Sequence, residues 1–133
     1  KYMADKSTLL KTFNTQFFAF LDDIINIFPD NNDIATAKKS FATVKKANPT
    51  VIIKVWMIYI YTPYAKQIDS GDISFFFEKD YSSDLSNLPS CDEVIRIIDT
   101  LRAPIRSMSD TNKQHTSKYL QILSKLSYMY SQK

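Results

Sequence analysis

The chain has 133 residues, of which 44% are hydrophobic, 14% aromatic and 23% charged. This length is typical of one domain, and we expect a single helical domain over residues 1–133. One glycine, one histidine and one cysteine leave few residues for phosphate loops, imidazole catalysis or His/Cys metal sites. We therefore predict a protein that is not an enzyme, with no catalytic residues, no metal and no cofactor.

The charge balance is mild, with 17 Lys and Arg against 14 Asp and Glu, a net charge of +3. This charge is too small for a dedicated duplex-DNA binder. The single cysteine, Cys91, cannot form an internal disulfide, which favours a reducing compartment. No apolar run approaches the ~18 residues that a bilayer crossing requires, and no secretory signal follows Lys1. We expect no membrane insertion and no secretion.

The first segment has the clearest helical pattern. Three-and-four spacing of apolar residues predicts a helix over about residues 6–28, which Pro29 ends. Leu9, Phe18 and Ile25 widen the apolar stripe beyond one narrow face. The stripe itself consists of Leu10, Phe13, Phe17, Leu21, Ile24 and Phe28.

A second helix follows the turn at Asn31–Asp33. We predict Asp33 as its N-cap and an end near Ala47. Its apolar face comprises Ile34, Ala37, Phe41 and Val44.

The segment from Thr50 to Tyr61 is ambiguous, because its β-branched and aromatic residues would also suit a buried strand. Asn48–Pro49 reads as an N-cap followed by proline at the first helical position, which favours a third helix. A lone strand would lack a partner in this glycine-poor chain. Pro63 should kink or end the helix, with a further turn through Tyr64 to Ile68.

The only glycine, Gly71, predicts a sharp reversal within residues 69–72. A short phenylalanine-rich element at 73–80 and a loop at 81–89 follow. Ser90 and Glu93 form a capping box for the next helix, which Pro104 interrupts. Ser109–Asp110 caps the last helix, whose buried stripe is predicted as Tyr119, Ile122, Leu123, Leu126 and Met129 or Tyr130.

The predicted fold class is all-α, a compact bundle of about six helices, four long and two short, with no significant sheet.

The residues that could carry chemistry have simpler structural interpretations. His115 lies in the polar part of the last helix without a nucleophile beside it, which favours an ordinary exposed histidine. Cys91 follows a helix cap, but Asp92 and Glu93 would oppose its thiolate form. The carboxylates of Asp69 and Asp72 are typical of turn and cap positions. Four further carboxylates form the acidic clusters at Asp22–Asp23 and Glu78–Asp80, neither of which has calcium-loop spacing.

Four lysines form two pairs seven positions apart on the second helix: Lys38, Lys39, Lys45 and Lys46. A separation of seven residues returns each lysine to within about 20° of its counterpart around a helix. They make a basic flank that could contact phosphates or an acidic protein. A solvated surface is the simpler interpretation.

The aromatic excess of nine Phe, eight Tyr and one Trp exceeds what a small core would hide with every hydroxyl paired. We predict that some tyrosines lie at an interface, either with a protein or stacked on bases. The candidates are Tyr59, Tyr61, Tyr64, Tyr81, Tyr128 and Tyr130.

Several phrases of the sequence together resemble small helical proteins of uncharacterised function encoded by large double-stranded DNA viruses of algae and amoebae. The likeness covers nearly the whole chain and brings no catalytic motif. It implies a product of an infected eukaryotic cell, located in the virion or in the cytoplasm or viral factory. The phrases are FFAFLDDIINIFPDNNDI at 17–34, KKANP at 45–49, the single Trp56 followed by YTPY at 61–64, IDSGDISFFFEKDY at 68–81 and IDTLRAPIRSMS at 98–109.

These observations predict a non-enzymatic helical protein-interaction module, a minor virion or assembly component that binds a viral or host protein or a second copy of itself. The alternative is a nucleic-acid-binding protein that uses the lysine flank for backbone contacts and exposed tyrosines for stacking.

Overall fold

The computed structural model of the chain describes residues 5–72 and 100–133. Of these residues 84% are helical and none is in a strand, which confirms the all-α fold class. The elements are α1 (Lys6–Ile27), α2 (Asn32–Ala47), α3 (Val51–Val55), a π-helical segment (Trp56–Tyr61), α4 (Thr62–Ser70), α5 (Arg102–Arg106) and α6 (Asp110–Ser131). Because α3, the π-helical segment and α4 are continuous, the described residues contain five helices, four of them long.

The α1 helix matches its predicted bounds. Asp5 accepts a hydrogen bond from the Thr8 amide at 2.7 Å and so caps its start. Phe28 is the C-cap and Pro29 lies in the turn beyond it. The predicted stripe is buried in its middle, and one residue outside it, Phe20, is also buried and widens the helix's contact with the core.

The predicted cap of α2 is wrong by two positions. Asn31, not Asp33, is the N-cap, and its side-chain oxygen accepts from the amides of Asp33 and Ile34. Asp33 instead lies in the first helical turn, where its charge is favourable to the helix dipole. The predicted end at Ala47 and the buried face of Ile34, Ala37 and Phe41 are confirmed.

Residues 50–61 are helical, as predicted, but they do not begin at an Asn48 cap. Asn48 is the C-cap of α2, and its side chain accepts from both the amide and the hydroxyl of Thr50. Pro49 lies in the turn, and α3 begins at Val51. The helix passes through Pro63 with a kink, visible as the non-helical backbone of Tyr64 (φ −125°, ψ 24°). The kink was predicted, whereas the π-helical segment before it was not.

The predicted reversal at Gly71 is confirmed as the end of α4. Gly71 has a φ of 84°, in the left-handed region, and Asp72 donates its amide to the Gln67 carbonyl at 2.9 Å. This is the geometry of a Schellman end, which favours glycine.

The Ser109 cap of α6 is confirmed, because its hydroxyl accepts from the Asn112 amide at 3.2 Å. The predicted stripe needs correction, since Ile122 is 45% exposed and Leu120 is buried instead. Four small hydroxyl residues of α6 are also buried: Thr116, Ser117, Ser124 and Ser127. They bring α6 close to the helix formed by residues 51–70, as the hydrogen bond from Ser117 to the Gly71 carbonyl shows. Pro104, predicted to interrupt a helix, lies in the first turn of α5, where it is tolerated.

The core lies where α1, α2, α6 and the continuous helix of residues 51–70 meet. Phe17 is fully buried and its ring contacts the rings of Phe13, Phe41 and Trp56 at centroid distances of 6.1, 4.8 and 6.1 Å. The start of α1 lies beside the end of α6, because the Lys6 ammonium sits over the Tyr130 ring. Further along α1, the Phe20 ring lies 5.3 Å from the Tyr119 ring in the first half of α6, so the two longest described helices are antiparallel.

Four predicted features fall outside the described residues: the element at 73–80, the loop at 81–89, the capping box that begins at Ser90, and Cys91.

Candidate protein-interaction face

The four lysines of α2 do not form one free surface. Lys38 makes an ion pair with Asp22 of α1, and the Lys45 ammonium lies 5.2 Å from the centroid of the Phe18 ring. Both therefore contact α1. Lys45 is nevertheless exposed, as are Lys39 and Lys46. This division reduces the outward-facing charge on which the nucleic-acid hypothesis depends, and that hypothesis stays an untested prediction.

The tyrosine candidates have different environments. Tyr59, Tyr61 and Tyr64 are half-buried and pack against the core. Tyr128 is 47% exposed, whereas Tyr130 is 7% exposed and belongs to the core. Tyr81 lies outside the described residues.

The structure brings Tyr61 and Tyr128 together, with ring centroids 6.1 Å apart in an edge-to-face arrangement. Ile58 lies one helical turn before Tyr61 and is 56% exposed. Ile58 also lines a groove with Ser127 and Ser131, which lie one position before and three positions after Tyr128 on α6. We call the surface formed by Ile58, Tyr61 and Tyr128 the aromatic face.

The groove beside the aromatic face has a volume of about 190 Å³. Ile53, Ser127 and Tyr130 are buried, and Met57 is half-buried. The Ser127 hydroxyl lies 3.8 Å from the Met57 sulfur, so these two residues join the two sides of the groove. The result is a mostly apolar depression between α6 and the helix of residues 51–70.

The π-helical segment supplies two residues of the aromatic face, Ile58 and Tyr61. In this segment the Thr62 amide donates to the Met57 carbonyl, five positions back, and the Thr62 hydroxyl donates to the same carbonyl at 2.6 Å. Such a wider turn rotates the side chains relative to an α-helix, and π-helical turns occur frequently at functional sites. Here the rotation accompanies the outward position of Ile58 and the buried positions of Trp56 and Ile60.

The edge of the aromatic face is polar. Tyr61, Tyr128, Asp69, Gln121 and Lys125 line an open depression of about 240 Å³. Partial burial, and then the nearby charge of Asp69, raise the pKa of the Tyr61 hydroxyl. Tyr61 therefore stays neutral well above physiological pH and keeps its proton for hydrogen bonding.

Sequence reasoning found the two tyrosines but missed Ile58. Residues 51–61 are apolar or aromatic at every position except Lys54, so no polar face indicates which residue points outward. The missed residue could have been found only by locating the π-helical turn.

The other candidate residues occupy surface positions. His115, Asp22 and Asp69 are exposed, which confirms the expected exposure of the histidine. Within residues 5–72 and 100–133, no three His, Cys, Asp or Glu side chains are grouped to hold a metal ion. Among the same residues, none of the helices has the length and apolar character required to cross a membrane.

Comparison of the chain with known protein families, with curated proteins and with solved structures finds no match.

Proposed function

We propose that this protein is a non-enzymatic helical module that binds another protein through the aromatic face. The observation that carries the proposal is the position of the exposed large hydrophobic side chains. Within the described parts of the chain these are Ile58, Ile122 and Tyr128, and two of the three belong to the aromatic face.

Exposed apolar side chains that lie together, bordered by polar residues, are characteristic of protein contact surfaces. Tyrosine is well suited to such a surface, since its ring supplies apolar area and its hydroxyl supplies a hydrogen bond. Tyr61 and Tyr128 are already held against each other. Because these side chains are already partly ordered, the entropic cost of binding a partner is lower.

The aromatic face lies on helices that pack in the core. The π-helical segment is joined to the core through Trp56, and Tyr128 lies on the long helix α6. Side chains on rigid helices keep one binding geometry, which favours recognition of a particular partner.

Site-specific photocrosslinking tests the proposal. A benzophenone amino acid is placed at Ile58, at Tyr128, or at the exposed Thr43 on α2 as the control. In cells that make this protein, we expect both positions on the aromatic face to crosslink to the same partner protein. The control position should not crosslink to it. The identified partner, once purified, should bind the chain and should bind Ile58→Asp about tenfold more weakly. No adduct at either position of the face, or the same adduct at Thr43, would refute the proposal.

The biological setting that we propose is that of a minor virion or assembly component of a large DNA virus. It is supported by the resemblance of the sequence phrases described above. Proteomics of purified particles and of infected-cell lysate tests this setting, since a packaged component must be enriched in the particles. Absence from both would rule the setting out.

A further inference from the structure

The groove between α6 and the helix of residues 51–70 has a size and a charge that indicate what it could bind. Its volume of about 190 Å³ lies below the ~300–1,000 Å³ typical of small-molecule pockets. A depression of this size accommodates one bulky side chain rather than a metabolite. Ile53, Met57 and Ile58 provide apolar contacts for such a side chain.

Among the described residues, two charged side chains line the groove, and both are lysines, Lys6 and Lys54. The Lys6 ammonium lies 4.7 Å from the centroid of the Tyr130 ring, which holds it at the groove. Asp5, which precedes Lys6 in the sequence, is not among the residues that line the groove, and its carboxylate accepts from the Thr8 amide at the start of α1. The lysine ammoniums therefore give this edge of the groove a positive potential.

We infer that the groove binds an acidic peptide segment of a protein partner. One bulky apolar side chain of the segment enters the groove against Ile53 and Met57. Carboxylates on either side of it pair with Lys6 and Lys54. This inference rests on the proposed function and specifies the chemistry of the partner.

Charge complementarity favours this occupant over a second copy of the chain. In a two-fold symmetric dimer the same patch meets itself, so Lys6 and Lys54 would approach their own copies. Like charges brought together at an interface are costly, whereas an acidic segment turns the same lysines into attractive contacts.

Peptide binding measured by fluorescence anisotropy tests the inference on the full chain. The probe is a labelled amphipathic peptide with leucine on one face and glutamate elsewhere, compared with a peptide carrying lysine in place of each glutamate. We expect the acidic peptide to bind about tenfold more tightly, and its binding to weaken as salt increases.

A charge-reversal pair identifies the site. Lys6→Glu combined with Lys54→Glu should weaken binding of the acidic peptide by about tenfold and strengthen binding of the basic one. The matched control is Lys39→Glu with Lys46→Glu, which changes the net charge equally at exposed positions of α2 and should leave binding within about twofold. Ser131→Trp, which fills the groove from its exposed edge, should block the acidic peptide, and circular dichroism checks that each variant is folded.

Equal binding of the two peptides, binding of neither, or an equal effect of the control pair overturns the inference. A dimer in sedimentation velocity that Ile58→Asp dissociates would assign the groove to a second copy and also overturn it. If Ile58 crosslinks a protein but the acidic peptide does not bind, this inference fails and the proposed function stands. If the acidic peptide binds as expected but no protein crosslinks, the chemistry of the groove stands and the proposed function fails.

Discussion

The indole Nε1 of Trp56 donates a hydrogen bond to the Ser124 hydroxyl, 2.9 Å away in the core. Both side chains are buried, and the bond joins the beginning of the π-helical segment to the middle of α6. The bond satisfies the indole donor in a place that water does not reach. It also fixes the position of the helix that carries Ile58 and Tyr61.

Ser124→Ala should lower the free energy of unfolding by about 1–3 kcal/mol, because it leaves the buried Trp56 donor without a partner. Chemical denaturation followed by circular dichroism of the helices measures this change, because that signal does not depend on Trp56, the single tryptophan. Ser131→Ala on the exposed end of the same helix is the control and should cost less than about 0.5 kcal/mol. In a double-mutant cycle with Trp56→Phe, we expect the two changes not to be additive. Full additivity would show that the bond contributes nothing.

The start of α2 gives a direct comparison of two neighbouring polar residues. Asn31→Ala should destabilise the protein by about 1 kcal/mol, because it removes the side-chain oxygen that accepts from the amides of Asp33 and Ile34. Asp33→Ala should cost less than about 0.5 kcal/mol, since it removes only a favourable charge in the first turn. Urea denaturation of both variants measures the order of the two effects, and a larger loss for Asp33→Ala would contradict the assignment of the cap.

Gly71 is required at the end of α4 because of its backbone and not because of crowding. A Cβ at this position would lie 3.6 Å from the Ser117 hydroxyl and 3.9 Å from the Gln121 side-chain nitrogen, both ordinary contact distances. Gly71→Ala should therefore cost about 1–2 kcal/mol, the energy of a left-handed backbone for a residue with a side chain. Gly71→Asn should cost less, since asparagine tolerates this conformation. Thermal denaturation should rank the two variants in this order, and equal losses would indicate a steric cause instead.

The cap at Asp5 makes part of the stability depend on pH. Hydrogen bonding from the Thr8 amide lowers the pKa of this carboxyl below its ordinary value. A group whose pKa is lowered by folding contributes stability above its unfolded pKa, and this contribution is lost as the pH falls through the folded pKa. The wild-type protein should thus be more stable than Asp5→Ala at neutral pH, with the difference shrinking below about pH 4.

Asp5→Asn is the control for this titration, because asparagine also caps a helix but carries no titratable group. Its advantage over Asp5→Ala should persist to low pH, and denaturation curves over a pH series measure both differences. A wild-type advantage that does not change at acidic pH would show that the Asp5 carboxylate is not responsible.

Local patterns in the sequence were sufficient to predict the helices that pack against the core through one face. The spacing of Phe13, Phe17 and Leu21 predicts α1 because each residue returns to the same side of a helix after three or four positions. Gly71 predicts the end of a helix because glycine readily adopts a positive φ. Ser109 predicts the start of a helix because its short side chain accepts from amides a few residues ahead. These features depend on neighbours along the chain, so they can be derived without the fold.

The sequence by itself determined that the described residues are helical and where α1 and α6 begin. Only the tertiary structure decided that Tyr130 is buried while Tyr128 is exposed, that Lys38 pairs with Asp22, and that Ile58 points outward. The physical reason is that these outcomes depend on contacts between residues far apart in the chain. Residues 51–61 show this best. Nearly every side chain there is apolar, so packing between helices, and not local preference, determines that Ile58 points outward and that Trp56 donates to Ser124 of α6.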